Sequence, residues 1–288
     1  MKTITFFSEK GGVGKTSFAM MYASWLHSQF GVKVALADFN DRVAGYRRKE
    51  IIKRNKMIET HPELGLQPFD EKKAWPILTC KNGDIEKAKR DFGPNVPHAK
   101  WFQNEVENGA LRGMEIVVCD FPGSMSGKEY QNMFNMDLLC LTVIPVEKDE
   151  MTIQSTLKLN YGIRSGNRCA FVTKAQVNMR NIKGSYYKLA KLMRDQGVPM
   201  LPDLISYSER MKSMDKVDNI RSTFGIPDFG SSKDLGIINL FTDVSKLLAR
   251  SADIRGTEPY AMSFAEGLKK NPDPDRQFKP SSFPEFDM

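Results

Sequence analysis

With 288 residues, 41% of them hydrophobic, the chain can bury a core of ordinary size, as one large α/β domain or a domain plus extensions, and a fibrous or wholly disordered protein is excluded. The formal net charge of +7 and a pI near 9.1 favour anionic partners such as nucleotides, nucleic acid or acidic membranes, without choosing among them. The opening MKTITFF runs straight into a glycine loop instead of a signal peptide, and no later run approaches the roughly 18 apolar residues of a membrane span. A soluble, cytoplasmic protein is expected.

In chain order, residues 3–7 form a β-branched and aromatic run, a glycine loop follows, and residues 16–27 return apolar residues at helical spacing. A second apolar run at 32–37 ends at Asp38, so the first forty residues read as one βαβ unit. From Arg42 to Gly113 the chain is charged and proline-punctuated, and is expected to hold helices and loops with no comparable strand. Buried-type strands are predicted at 115–119, 138–145 and 168–173, with a helix over 152–164. A basic amphipathic helix at 185–196, a short strand at 200–205 and a helix at 235–250 complete the pattern. The expected fold is α/β: a P-loop NTPase with a doubly wound, mostly parallel sheet and helices on both faces, spanning 1–250. Residues 251–288 turn to proline, charge and aromatics without a period, as in an extended or disordered tail.

Cys80, Cys119, Cys140 and Cys169 are widely spaced and read as reduced, buried thiols. His27, His61 and His98 lack partners at metal-ligand spacing and read as surface or satisfied histidines.

The informative stretch is Lys10-Gly11-Gly12-Val13-Gly14-Lys15-Thr16-Ser17, lying between a strand end and a helix start. A tight loop there turns several backbone N–H groups inward, and glycines permit the close approach of phosphate oxygens. Lys15 supplies a charge to the β- and γ-phosphates of ATP, and the Thr16 hydroxyl is placed to ligate Mg2+. A glycine turn that merely packs would explain neither residue. Residues 115–120 end a hydrophobic strand on Asp120, the form of a Walker B element and of an outer-shell magnesium ligand.

KGGVGKT, at Lys10 to Thr16, resembles the motif of the deviant Walker A ATPases, the ParA/MinD group, and the resemblance extends from Lys2 to about Leu248. It implies that Lys10 reaches across a dimer interface to the nucleotide of the other subunit. Phe121-Pro122-Gly123 resembles the segment that follows the family's Walker B aspartate. After its second strand the family carries D-x-D, whereas this chain reads Asp38-Phe39-Asn40-Asp41. Asn40 can orient a water but cannot take its proton, so slow hydrolysis or a mainly nucleotide-gated switch is expected, with Asp41 as a substitute carboxylate if the loop shifts.

Pro272, Pro274, Pro280 and Pro284 preclude the terminal membrane helix of MinD-like members and point to the ParA-like branch, with nonspecific DNA and a protein adaptor or cargo as partners. Candidate DNA contacts are Lys183, Lys188, Lys191, Arg194, Arg210, Lys212, Lys216 and Arg221. A second cluster, Arg42, Arg47, Arg48, Lys49, Lys53, Arg54 and Lys56, is open to either kind of partner. Lys174 and Asn178 are candidate contacts to the adenine. A nonhydrolytic scaffold in a conjugation or secretion apparatus is the alternative function. A nitrogenase-reductase-like enzyme is disfavoured, because Cys119 and Cys140 do not have the spacing of a shared iron–sulfur cluster.

Overall fold

The structure is a computed structural model and describes residues 1–254 apart from 66, 71–73, 95, 124, 126, 148–152, 155–167, 176–187, 207–234 and 252. Its centre is β1 (Lys2–Phe6), where β-branched and aromatic residues follow Lys2 and every residue is buried. It is flanked in parallel by β4 (Ile116–Asp120) and β5 (Leu141–Val146). With β2 (Val34–Asp38), β3 (Ile77–Thr79), β6 (Arg168–Ala175) and β7 (Met200–Ser206) they form a seven-stranded sheet in the order β3-β2-β4-β1-β5-β6-β7. All of its pairings are parallel, as continuous apolar strands joined by helical crossovers require.

Helices cover both faces, and adjacent residues at the end of β1 show how. Phe6 packs against Phe18 and Tyr22 of α1 (Lys15–Phe30) and against Phe241, while Phe7 turns the other way and stacks on Tyr130, 3.8 Å between centroids. Helix α1 stops at Gly31, whose left-handed φ of 63° lets its own N–H close on the His27 carbonyl and that of Val32 on the Leu26 carbonyl. The remaining helices are α2 (Val43–Thr60), α3 (Asn82–Phe92), α4 (Pro97–Glu107), α5 (Gly127–Asn135), α6 (188–195) and α7 (Leu235–Arg250). Among the described residues, none is long and apolar enough to cross a membrane.

One expectation is corrected. The stretch from Arg42 to Gly113 does hold a strand, β3, which pairs with the free edge of β2. Three half-buried residues between Pro76 and Cys80 are too short to show a period, so pairing with β2 and not local pattern creates the strand. All four cysteines are buried and free, and His98 is satisfied by Glu129 at 2.7 Å. No group of three or more His, Cys, Asp or Glu side chains placed to hold a metal forms among the described residues.

Packing continues past residue 250. Ile254 is buried and donates its N–H to the carbonyl of Met1, and Asp253 pairs with Lys2 at 2.6 Å. Residues 255–288 and all of the expected 152–164 helix but 153–154 lie outside the described residues, and the 185–196 helix is seen from 188.

Candidate nucleotide site

Parallel order places the C-terminal ends of β2, β4, β1 and β5 side by side, so the loop leaving β1 runs between the segments that leave β4 and β5. This is the crevice where open α/β sheets bind ligands. Gly12 and Gly14 adopt left-handed φ values of 76° and 93°, and a Cβ on Gly14 would also sit 3.1 Å from the Phe18 ring. Gly11 and Gly12 are exposed, and a Cβ on either would meet nothing within 4 Å, so packing does not account for them. Val13, between Gly12 and Gly14, is fully buried and pins the loop to the core. The result is a backbone loop anchored at Val13 with an open outer side, suited to a phosphate.

Lys15 opens α1 and is only 8% exposed. Its Nζ donates to the Lys10 carbonyl at 2.7 Å, and a Cβ on Gly123 would come within 3.4 Å of it, so a glycine after Asp120-Phe121-Pro122 leaves the amine its room. Burial lowers the amine's pKa, opposed by the charge of Asp120. Beside it the Thr16 hydroxyl lies 2.9 Å and 3.1 Å from the two oxygens of Asp120, and Ser17 is half-buried on the same turn. Asp120 is fully buried, and its pKa is pushed up to about 7, first by desolvation and then by Asp38, against the pull of Thr16, Lys15 and Arg42. A hydroxyl and a carboxylate on a buried shelf are the hard oxygen donors that magnesium takes, and with Lys15 alongside the donor set fits a magnesium–nucleotide pair.

Asp38 stands opposite Asp120 in the register of β2 and β4. Its carboxylate accepts the backbone N–H groups of Asn40 at 3.0 Å, Arg42 at 2.9 Å and Val43 at 2.8 Å. It therefore holds the start of α2, and burial raises its pKa despite those bonds. Phe39, next in the chain, is wedged against Phe121 and Trp101, which fixes the turn. Asn40 is half-buried; Asp41 is exposed with a left-handed φ of 50°.

Lys10, half-buried at the loop's entrance, forms an ion pair with Glu147 at 2.9 Å. Of the late basic cluster, Lys188, Lys191 and Arg194 are exposed on α6, while Lys183, Arg210, Lys212, Lys216 and Arg221 lie outside the described residues, as do Asn178 and the side chain of Lys174. On α2, Arg48, Lys49 and Lys56 face solvent, but Arg47 lies over the Trp75 ring at 4.2 Å and Arg54 donates to the Gln67 carbonyl at 2.6 Å. The second cluster is thus partly structural.

No protein-family model and no curated protein matches the sequence. Solved structures do match. An ATP complex of a McdA variant from Cyanothece superposes with a TM-score of 0.56 at 16% identity, covering 90% of this chain and 99% of that one. The MinD cell division protein of Aquifex aeolicus gives 0.54 at 16% identity, covering 88% and 100%. A candidate plasmid partition protein of Borrelia burgdorferi bound to AMPPNP gives 0.52 at 15% identity, covering 86% and 98%. The fold is that of the MinD/ParA-type ATPases. On this fold strand order brings the loop after β1 beside Asp120 at the end of β4. The residue that motif reasoning misses is Glu147, whose only signal was a carboxylate just past a buried strand; strand order, which brings β5 beside β1, gives it meaning.

Proposed function

We propose that this chain binds ATP with magnesium at the β1 loop, dimerises on it, and acts as a ParA-like ATPase in the partitioning, positioning or transfer of DNA. The observation that carries this reading is the Thr16 hydroxyl held against both oxygens of buried Asp120, with the Lys15 amine beside them. Three solved structures of this fold, described as an ATP complex, an AMPPNP complex and a cell division protein, support nucleotide binding and a positioning role.

In this reading the N–H groups from Gly11 to Gly14 cradle the phosphates and Lys15 neutralises them. Thr16 and Asp120 hold Mg2+, which when bound offsets charge on the phosphate oxygens. Lys10 extends across the interface to the partner's phosphates, where two facing polyanions need a cation. Asn40 orients water without accepting its proton, and Asp38 is committed to α2, so turnover is slow. The protein works in the cytoplasm, and exposed cations, those of α6 among them, meet DNA.

The test is gel filtration and DNA retardation with ATP, ADP or no nucleotide. ATP alone should give a dimer that retards nonspecific DNA and releases it at high salt. A chain that stays monomeric with ATP, or binds DNA equally without it, would refute the reading. The second reading, a nonhydrolytic scaffold docking a protein in a conjugation or secretion apparatus, is favoured by Asn40 and by the engagement of Asp38. Phosphate release no faster than that of Lys15→Ala, with and without DNA, would select it.

A further inference from the structure

Glu147 is the residue directly after β5, and β5 is the strand hydrogen-bonded to β1 on the side away from β4. The β1 loop is therefore gripped from two sides. Thr16 reaches toward Asp120 at the end of β4, and Lys10 reaches toward Glu147 after β5. The Lys10–Glu147 pair is 2.9 Å long, with side chains 34% and 18% exposed, so it sits partly open to solvent at the rim of the loop. Lys10 carries a second link as well, since its carbonyl accepts the Lys15 amine. One residue thus joins the phosphate-binding lysine to the end of β5.

We propose that Glu147 is the positioning residue of Lys10: its carboxylate holds the amine within its own subunit until a second copy of this chain presents a nucleotide triphosphate, and so sets the threshold for dimerisation. The inference rests on the proposed role of Lys10 across the interface. An amine held by Glu147 cannot at the same time reach a partner's phosphates, so each dimer formed must break the pair in both subunits, as two-fold symmetry demands. A triphosphate carries several negative charges against the single one of Glu147 and outcompetes it, and a diphosphate does so less well. Glu147 therefore sharpens the distinction between ATP and ADP at the dimer seam. A partly exposed ion pair is worth roughly threefold in an equilibrium constant, so two pairs amount to about tenfold in the dimer dissociation constant.

The test uses the full chain and the variants Glu147→Gln, Glu147→Asp, Lys10→Ala and Lys10→Ala/Glu147→Gln. In nucleotide-free protein, acylation of the Lys10 amine, followed by mass spectrometry, should be several-fold faster in Glu147→Gln and return toward the native rate in Glu147→Asp. In sedimentation with ATP, Glu147→Gln should dimerise at about tenfold lower protein concentration. Glu147→Asp should stay near the native value, and the double variant should show no gain over Lys10→Ala. Unchanged acylation, or an unchanged or raised dimerisation threshold in Glu147→Gln, overturns the inference. If Lys10→Ala alone dimerises with ATP as the native chain does, the role of Lys10 across the interface fails, and the Glu147 threshold with it; an unchanged threshold in Glu147→Gln beside a defective Lys10→Ala removes only the latter.

Discussion

Asp38 and Asp120 end neighbouring strands, stand opposite each other in register, are both fully buried, and are each followed by a phenylalanine that packs against the other. Their work nonetheless differs. Asp38 directs its oxygens to three backbone N–H groups and so binds the chain to itself, whereas Asp120 faces a side-chain hydroxyl and a buried amine and so faces the cradle. The difference arises after the strand. Shortly after Asp38 helix α2 begins, and its unsatisfied N–H groups claim the carboxylate; after Asp120, Pro122 offers no N–H and Gly123 clears space for Lys15. A strand-end carboxylate stays available to a ligand where the following backbone leaves it alone.

Substitutions should separate the two. The largest effect is expected from Asp120→Ala, which should weaken magnesium-dependent ATP affinity by about 10- to 100-fold, read by calorimetry, while the affinity measured in chelator changes far less. Next, Asp38→Ala strands the N–H groups at the start of α2 and should cost about 2 kcal/mol, lowering Tm by about 4–8 °C. Retained Tm in that variant would mean that Asp38 is available for chemistry after all. A smaller gain is expected from Asn40→Asp, which supplies a carboxylate at the position proposed to orient the water: phosphate release should rise about tenfold with ATP affinity little altered. If turnover stays flat, Asn40 does not face the reacting water.

Much of this contrast was not legible in the sequence. The β1 loop was, because Lys15 and Thr16 are fixed by contiguous spacing on one helix turn, and so was the parallel sheet, because 115–119 and 138–145 are predominantly apolar runs of strand length. Local pattern could not assign Asp38, since the sequence shows a carboxylate at a strand end but not which N–H groups it will meet. Nor could it find β3, which exists by pairing with β2, or Glu147, which lies 137 positions from Lys10 and reaches it only through strand order. The aromatic wedge of Phe39 among Phe121 and Trp101 is likewise a property of the assembled core.

The smallest expected effect concerns protons and gives the comparison a sign. Asp120 has a folded pKa near 7, above its unfolded value, mainly because burial disfavours the carboxylate. Its contribution to stability is therefore fully present below the unfolded pKa and is lost as pH rises through about 7. Nucleotide-free protein should gain about 1 kcal/mol from this group between about pH 7.5 and about pH 6, seen as a rise in Tm that Asp120→Asn does not show. Magnesium–ATP affinity should move the opposite way, falling over the same interval, because a protonated Asp120 cannot serve the metal. Asp38, also raised by burial, shares the sign of the stability slope, but its oxygens are committed to backbone N–H groups and not to the proposed metal site, so its titration should produce no matching loss of magnesium affinity. Opposed slopes for stability and binding, both flattened by Asp120→Asn, are thus the signature of a ligand carboxylate. Parallel slopes would place the titration elsewhere and leave the assignment of Asp120 without support.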